Sequence, residues 1–246
     1  GGGQLLDQAF FSYTLMRDTA LLRPLFAALD LVQKYPAARD ARIAPGSEAW
    51  AAQVLRGDQG LWRTAAQWRL YTGDRRYDSL LLRQGTPYVR YRLTGDERHL
   101  RGALQPILDH VRYNMPLLTT EALHTDRVYV TENHRIGSED LKAMLTGDSA
   151  SESASPYFAV TWTGTNDDFT ALVADSGPAH LRVQLFNHGT RPGRAEMRLW
   201  QLAPGRYRLH VGEQAPRTLD VTQRGQRVAL TLPARALLNV RIERVP

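Results

Sequence analysis

The first part of the chain repeats its apolar residues at helical spacing. Between Gln4 and Tyr35 this pattern breaks once, near Thr19, and therefore predicts two helices. A loop rich in Pro, Ala and Gly follows, and Ser47 is the predicted N-cap of the next helix. The apolar positions that carry the pattern are Leu5, Phe10, Phe11, Leu15, Leu22, Leu25, Phe26, Leu29 and Val32.

A short motif repeats within this helical part. Thr72-Gly73-Asp74 and Thr94-Gly95-Asp96 each follow an apolar helical run that contains tyrosine and arginine. In each copy the pattern predicts a helix that ends at the glycine, with the aspartate capping the next helix. Such a joint is typical of a helical hairpin, and its repetition predicts stacked hairpins.

Three further segments complete the helical part. We expect a long helix from Glu97 to Asn114, a short strand at Val128 to Val130 and a short helix from Ser138 to Leu145. The run from Gly147 to Pro156 is small and polar, which predicts a surface linker.

Beyond this run the hydrophobic period changes to two. Short alternating segments separated by turn residues are typical of an antiparallel β-sandwich. The predicted strands are Tyr157–Trp162, Phe169–Ala174, Leu181–Phe186, Ala195–Leu202, Tyr207–Val211, Thr218–Val221, Arg227–Leu232 and Leu237–Ile242. We therefore predict an α+β protein of two domains, with helical hairpins of partial α/α-toroid type in residues 1–146 and the sandwich in residues 157–246.

The net charge of +6 is carried almost entirely by arginine, because Lys34 and Lys142 are the only lysines among 31 basic residues. A GC-rich genome is one explanation for this bias. Recognition of carboxylate or sulfate groups on an acidic polymer is another, because the planar guanidinium group pairs well with them. The arginines are scattered and form no basic tail or stripe, which does not favour nucleic-acid binding.

Several classes of site are excluded by the residues. The chain has no cysteine, so it has no disulfide, thiolate metal site or cysteine nucleophile. It also contains no phosphate-binding glycine loop, dinucleotide fingerprint or zinc-protease helix motif. No apolar run is long enough to cross a bilayer, and we therefore expect no membrane partner. We expect no cofactor and no metal.

The densest group of potentially catalytic side chains lies between Asp109 and Arg135. A lyase acting on a uronic acid needs a base such as His or Tyr, a proton donor, and a group such as Asn or Arg that stabilises the charge on the carboxylate. The candidate catalytic residues are Tyr113, Asn114, His124, Asp126, Arg127 and His134. A polar helix end with no catalytic role is the alternative interpretation of the same segment.

The same region permits two other chemistries. A glycoside hydrolase needs two facing carboxylates, for which Asp109, Glu121, Asp126 and Glu132 are available without a diagnostic spacing. The histidines at 110, 124 and 134 lack the helical spacing that would make a metal site specific.

Aromatic and basic residues supply candidates for substrate binding. Trp62, Trp68 and Tyr71 are candidates for a sugar-stacking groove, although helical spacing equally predicts core packing. Arg112 and Arg135 are the candidate partners of acidic substrate groups. The isolated histidines of the second half, His180 among them, are interpreted as structural or surface residues.

The Thr-Gly-Asp joints, followed by a sandwich that ends Val228-Ala229-Leu230-Thr231-Leu232-Pro233-Ala234-Arg235, resemble the C-terminal portion of polysaccharide lyases of the heparinase II/III-like kind. This resemblance implies β-elimination on an acidic, uronate-containing polysaccharide by a bacterial protein located in the periplasm or outside the cell. It is a resemblance of architecture and covers most of the chain.

A full toroid of that family has about twice the helices predicted here. We therefore expect an upstream domain or a second chain to pack on residues 5–15. Two other functions stay open, namely a glycoside hydrolase of α/α-toroid type and a non-catalytic carbohydrate-binding or structural module, because fold alone does not determine function.

Overall fold

The computed structural model describes residues 2–37, 43–118, 138–148, 157–163 and 168–245. The chain divides into two compact units: unit 1 comprises Gly1–Gly85 and Ser149–Tyr157, and unit 2 comprises Thr86–Asp148 and Phe158–Pro246. The predicted boundary placed all the helices before residue 147 in one domain. By their contacts, the helices after Thr86 instead group with the strands.

Unit 1 contains five helices in its described residues. They are α1 (Gly2–Met16), α2 (Arg23–Lys34), α3 (Glu48–Arg56), α4 (Gln59–Thr72) and α5 (Asp78–Gln84), with a 3₁₀ turn at Thr19–Leu22. The predicted break near Thr19 is therefore confirmed. Ser47 is also the N-cap of α3, because its side chain accepts a hydrogen bond from the backbone of Trp50.

Unit 2 contains three helices and eight strands in its described residues. The helices are α6 (Pro87–Thr94), α7 (Arg98–Leu118) and α8 (Ser138–Thr146). The strands are β1 (Val160–Thr163), β2 (Phe169–Ser176), β3 (His180–Asn187), β4 (Gly193–Leu199), β5 (Gly205–Val211), β6 (Arg217–Val221), β7 (Gln226–Leu232) and β8 (Leu237–Arg244). Each strand overlaps its predicted segment, and the two-part α+β fold is confirmed. The toroid stays a prediction.

The strands form two antiparallel sheets, one in the order β1-β4-β7 and the other in the order β2-β3-β8-β5-β6. Every second side chain points into one shared core, as Leu181, Val183 and Leu185 do from β3. The side chains between them form the outer faces of the sheets. Helices α6, α7 and α8 pack against Leu172 and Ala174 of β2.

The repeated Thr-Gly-Asp joints have the same geometry in both units. Gly73 and Gly95 adopt φ values of 78° and 71°, the left-handed conformation that a helix end requires and that glycine adopts without strain. The aspartate of each joint accepts hydrogen bonds from an arginine two residues later, Arg76 for Asp74 and Arg98 for Asp96. These bonds are the main cause of the low aspartate pKa values, about 2 for Asp74 and about 2 for Asp96.

A third joint of this kind occurs at Thr146-Gly147-Asp148, where Gly147 has a φ value of 79°. The small, polar run from Gly147 to Pro156 predicts a surface linker, and for Gly147 and Asp148 that prediction is wrong. Asp148 is only 2% exposed, and Gly147 lies against Ala159 and Val173. Residues 149–156 of the predicted linker lie outside the described residues.

The predicted apolar face on residues 5–15 is only partly outward-facing. Leu5, Phe11 and Leu15 are exposed, whereas Phe10 is buried and contacts Tyr71 and Tyr157 edge-on. Packing of another domain or chain on this face stays a prediction. No helix in the described ranges is long and apolar enough to span a bilayer.

Candidate functional site

The predicted catalytic segment lies mostly outside the described residues. His124, Asp126, Arg127, His134 and Arg135 lie outside the described residues. The backbones of Tyr113 and Asn114 belong to α7, but their side chains are not among those described. Arg112 extends from α7 into solvent, with its Nη1 atom 3.8 Å from Asp109 Oδ1. The catalytic role of these residues therefore stays a prediction.

Two of the predicted sugar-stacking residues are core residues instead. Trp62 is 3% exposed and donates its indole N–H to the carbonyl of Arg56, and Trp68 is 7% exposed and donates to Asp74. A buried indole has no free face on which a sugar can stack, so the core-packing interpretation is correct for both.

Tyr71 is partly exposed but already has several partners. Its ring contacts Phe10, Tyr13 and Tyr157, and the guanidinium of Arg17 lies 5.2 Å from the ring centroid. This cation–π contact covers a ring face that a sugar would need. Tyr71 is thus mainly part of the aromatic cluster of unit 1.

A buried polar network connects α6 to the β2–β3 hairpin within unit 2. The side chain of Arg92 is 2% exposed, and it donates hydrogen bonds to Tyr88 Oη at 3.0 Å and to Ser176 Oγ at 3.1 Å. Tyr88 in turn donates to the carbonyl of Val173 at 2.8 Å. Arg92 also lies 3.7 Å from Asp175, so a buried cation has a carboxylate beside it.

The carboxylate of Asp175 faces two guanidinium groups and one imidazole. Besides Arg92, it lies 3.3 Å from His180 Nε2 and 3.8 Å from Arg182. Burial alone would raise the pKa of Asp175, but the hydrogen bond to His180 and the charges of the three groups outweigh it and lower the pKa. His180 is thus a partly exposed residue that contacts Asp175.

The outer face of the three-stranded sheet carries a second set of arginines. Strand register places Thr161, Arg198 and Arg227 in one row across β1, β4 and β7. The neighbouring row contains Thr163 and Glu196. Because Arg198 and Arg227 stand directly opposite each other, their like charges repel and destabilise the sheet.

Arg198 differs from its neighbour in having no counter-ion. Arg227 lies 3.3 Å from Glu196, whose carboxylate also accepts a hydrogen bond from Thr163. Within the described part of the chain no ion pair involves Arg198, and its buried Nε atom has no hydrogen-bond partner. A partly buried guanidinium of this kind is stabilised when an anion binds beside it.

Trp200 directly follows β4, two residues after Arg198, and it takes the next outward-facing position of this segment. Its indole N–H donates to Thr161 Oγ1 at 2.8 Å, and a Cβ atom at Gly225 would come within 3.1 Å of its ring. The ring is partly exposed and held by these contacts. A fixed aromatic ring next to the guanidinium group of Arg198, which has no counter-ion among the described residues, can bind both the apolar face and the acid group of one sugar. We call Thr161, Arg198, Trp200 and Arg227 the Trp200 face.

Neither the Trp200 face nor the cluster of Asp175 with Arg92, His180 and Arg182 is among the sites predicted from the sequence. The alternation of β4 does indicate that Arg198 and Trp200 share one side of the strand, but the opposition of Arg198 and Arg227 depends on the pairing of β4 with β7. No group of three or more possible metal ligands occurs among the described residues, which do not include His124 and His134.

Comparisons with known proteins identify no family for this chain. No protein-family model matches it, and no curated protein matches it. Among solved structures, it is similar to KdgF from Halomonas sp., with 12% sequence identity over 35% of this chain and 89% of that chain. The TM-score of this match is 0.14, which is too low to support an argument about fold or function.

Proposed function

We propose that this chain binds an acidic, uronate-containing polysaccharide through the Trp200 face. The observation that supports this proposal is the uncompensated guanidinium of Arg198, which lies in register with Arg227 and beside a fixed indole ring. A uronate residue presents a carboxylate together with an apolar ring face. The carboxylate would pair with the guanidinium groups while the ring packs against Trp200.

The size of the effect can be estimated from hydrogen bonds to charged groups, which each contribute about 1.5–3 kcal/mol. Loss of the Arg198 contact should therefore weaken binding by about 10- to 150-fold. Lysine at this position retains the charge but not the forked geometry, so Arg198→Lys should recover only part of the affinity.

The test is a titration of the chain with a soluble uronic-acid polymer, with a neutral glucan and single-stranded DNA as comparison ligands. Arg75→Ala is the matched control, because Arg75 is an exposed arginine outside the sandwich. We expect Arg198→Ala to weaken uronate binding by about tenfold or more, and Arg75→Ala to leave it unchanged.

Equal affinity of the Arg198→Ala and Arg75→Ala variants would refute the proposal. Tighter binding of DNA than of the uronate polymer at the same salt concentration would replace it with nucleic-acid recognition, because an aromatic ring with arginines also suits single-stranded nucleic acids.

We further propose that the chain cleaves the polymer by β-elimination and that it does so outside the cell or in the periplasm. This proposal relies on the composition of the segment that contains Tyr113 and His124 and on the resemblance to heparinase II/III-like lyases. Elimination would produce unsaturated chain ends that absorb ultraviolet light, and His124→Ala or Tyr113→Phe should abolish them while leaving the melting temperature nearly unchanged.

A glycoside hydrolase would instead release reducing ends without that absorbance. If neither product forms from a broad panel of acidic and neutral polysaccharides, the chain is a binding module, and the proposal for the Trp200 face is unaffected by that result.

A further inference from the structure

The five-stranded sheet presents its own row of polar residues, two of them arginines, on the opposite side of the sandwich core. Strand register places Asp175, Arg182, Arg241 and His210 in one line across β2, β3, β8 and β5. Arg182 and Arg241 therefore stand directly opposite each other on adjacent strands. Both are half-exposed or more, so their outward ends are accessible to solvent.

The next row extends this charge across the sheet. It contains His180, Glu243 and Arg208, so Arg208 lies diagonally beside Arg241. Arg208 is exposed, and no ion pair involves it among the described residues. Three arginines on three adjacent strands thus form one continuous surface, which we call the Arg182 face: Arg182, Arg208 and Arg241.

The acids on this surface are too few to neutralise it. Asp175 is shared by Arg92, His180 and Arg182, at distances of 3.3 to 3.8 Å. Glu243 lies 3.5 Å from Arg241. The pairs of Arg182 and Arg241 are long and partly exposed to solvent, so they contribute little to stability and leave guanidinium N–H groups available to another anion.

The two cationic faces are on opposite sides of one rigid element. The inward side chains of both sheets share a single core, so the outward side chains of β4 and β7 point away from those of β3, β8 and β5. One ligand residue cannot contact both faces. Any acidic polymer bound at one face leaves the other free for a second segment.

We infer that the Arg182 face is a second binding site for acidic polysaccharide, and that one chain bridges two polymer segments. The ligand class rests on the proposed function, but the surface itself is a separate set of residues. Because a long polymer offers many binding segments, such bridging links polymer chains into a network and raises the apparent affinity.

The experiment uses two ligands with the full chain. Calorimetric titration with a short oligouronate measures the number of sites, and light scattering with a long uronate polymer measures bridging. The variants are Arg182→Ala/Arg241→Ala, Arg198→Ala/Arg227→Ala and the control Arg75→Ala/Arg101→Ala, which removes two exposed arginines that lie outside the sandwich. Circular dichroism melting of each variant establishes that it is folded.

We expect two oligouronates per wild-type chain and one per chain in either sheet variant. Scattering by the long polymer should rise with wild-type and control chains and fall by at least about tenfold with either sheet variant, since one site cannot bridge. A single site in the wild type, or unchanged stoichiometry in Arg182→Ala/Arg241→Ala, would overturn the inference.

The outcomes also separate this inference from the proposed function. If only the Arg182→Ala/Arg241→Ala variant loses its oligouronate, the Arg182 face binds and the Trp200 face does not. If only the Arg198→Ala/Arg227→Ala variant loses it, the proposed function holds and the second site is refuted.

Discussion

Replacement of Gly147 by alanine should destabilise unit 2 far more than the same replacement at Gly95. Both glycines end a helix in the same Thr-Gly-Asp joint and have similar positive φ values of 79° and 71°. A Cβ atom at Gly95 would meet open space, whereas one at Gly147 would lie 2.8 Å from both Ala159 Cβ and Val173 Cγ1. The pair therefore separates backbone strain from steric overlap.

The expected magnitudes follow from these two causes. Alanine in the left-handed conformation costs about 1–2 kcal/mol at either position. Overpacking of a filled core adds about 1–3 kcal/mol at Gly147 only, because the methyl groups it meets are attached close to the backbone. We expect a free energy of unfolding reduced by about 2–5 kcal/mol for Gly147→Ala and by about 1–2 kcal/mol for Gly95→Ala.

Urea unfolding followed by circular dichroism and tryptophan fluorescence measures both variants. With a slope of about 2 kcal/mol per molar, the extra overlap lowers the unfolding midpoint of Gly147→Ala by a further ~0.5–1.5 M. Gly73→Ala, in unit 1, serves as a second strain-only control because its Cβ would also meet open space. Equal midpoints for Gly147→Ala and Gly95→Ala would refute the assignment of Gly147 to a packed joint.

Three other measurements test the fold. The pKa values of Asp74 and Asp96 lie below the ordinary value of about 4, so the stability they contribute is present above pH 4 and is lost as the pH falls toward 2. Urea unfolding measured between pH 4 and pH 2 should show that the free energy of unfolding falls less in the Asp74→Asn/Asp96→Asn variant than in the wild type. An equal fall in the two proteins would contradict this. Tyr88→Phe removes a buried hydrogen bond to the Val173 carbonyl and should lower the free energy of unfolding by about 1–3 kcal/mol, whereas a change below the error of the fit would show that this bond contributes nothing. A fragment of residues 86–246 should unfold at higher temperature than one of residues 157–246, because the shorter one lacks the helices that cover β2; similar melting temperatures would mean that the sandwich is stable alone.

The strands were predictable because their alternation is local. Leu181, Val183 and Leu185 point into the core, and this period of two is visible in the sequence without knowledge of any partner strand. The ends of α4 and α6 were predictable for the same reason, since Gly73 and Gly95 are the residues that a left-handed helix end favours.

The third joint was missed although its signal was present. Leu145-Thr146-Gly147-Asp148 repeats the residues Leu93-Thr94-Gly95-Asp96. The small and polar residues that follow it indicate a linker, and the predicted linker therefore includes Gly147 and Asp148 although they belong to the repeated motif. The packing of Gly147 depends on Ala159 and on Val173 of β2, which come later in the chain, so no local pattern reveals it.

The candidate faces could not be predicted because they depend on strand register. Arg198 and Arg227 belong to strands that are separated in sequence by two others, and Arg182 meets Arg241 only because β8 inserts between β3 and β5. Composition alone instead favours the segment between Asp109 and Arg135, because it indicates residue types and not their positions in space.

The division of unit 2 into two stretches of sequence affects how it forms during synthesis. Residues 86–148 leave the ribosome before the strands, yet Tyr88, Tyr91 and Leu100 are buried with Leu172 and Ala174 of β2. Until that strand emerges, α6 to α8 expose these side chains. The nascent chain is therefore most prone to aggregation in this interval, and a chaperone that binds exposed aromatic helices would act here.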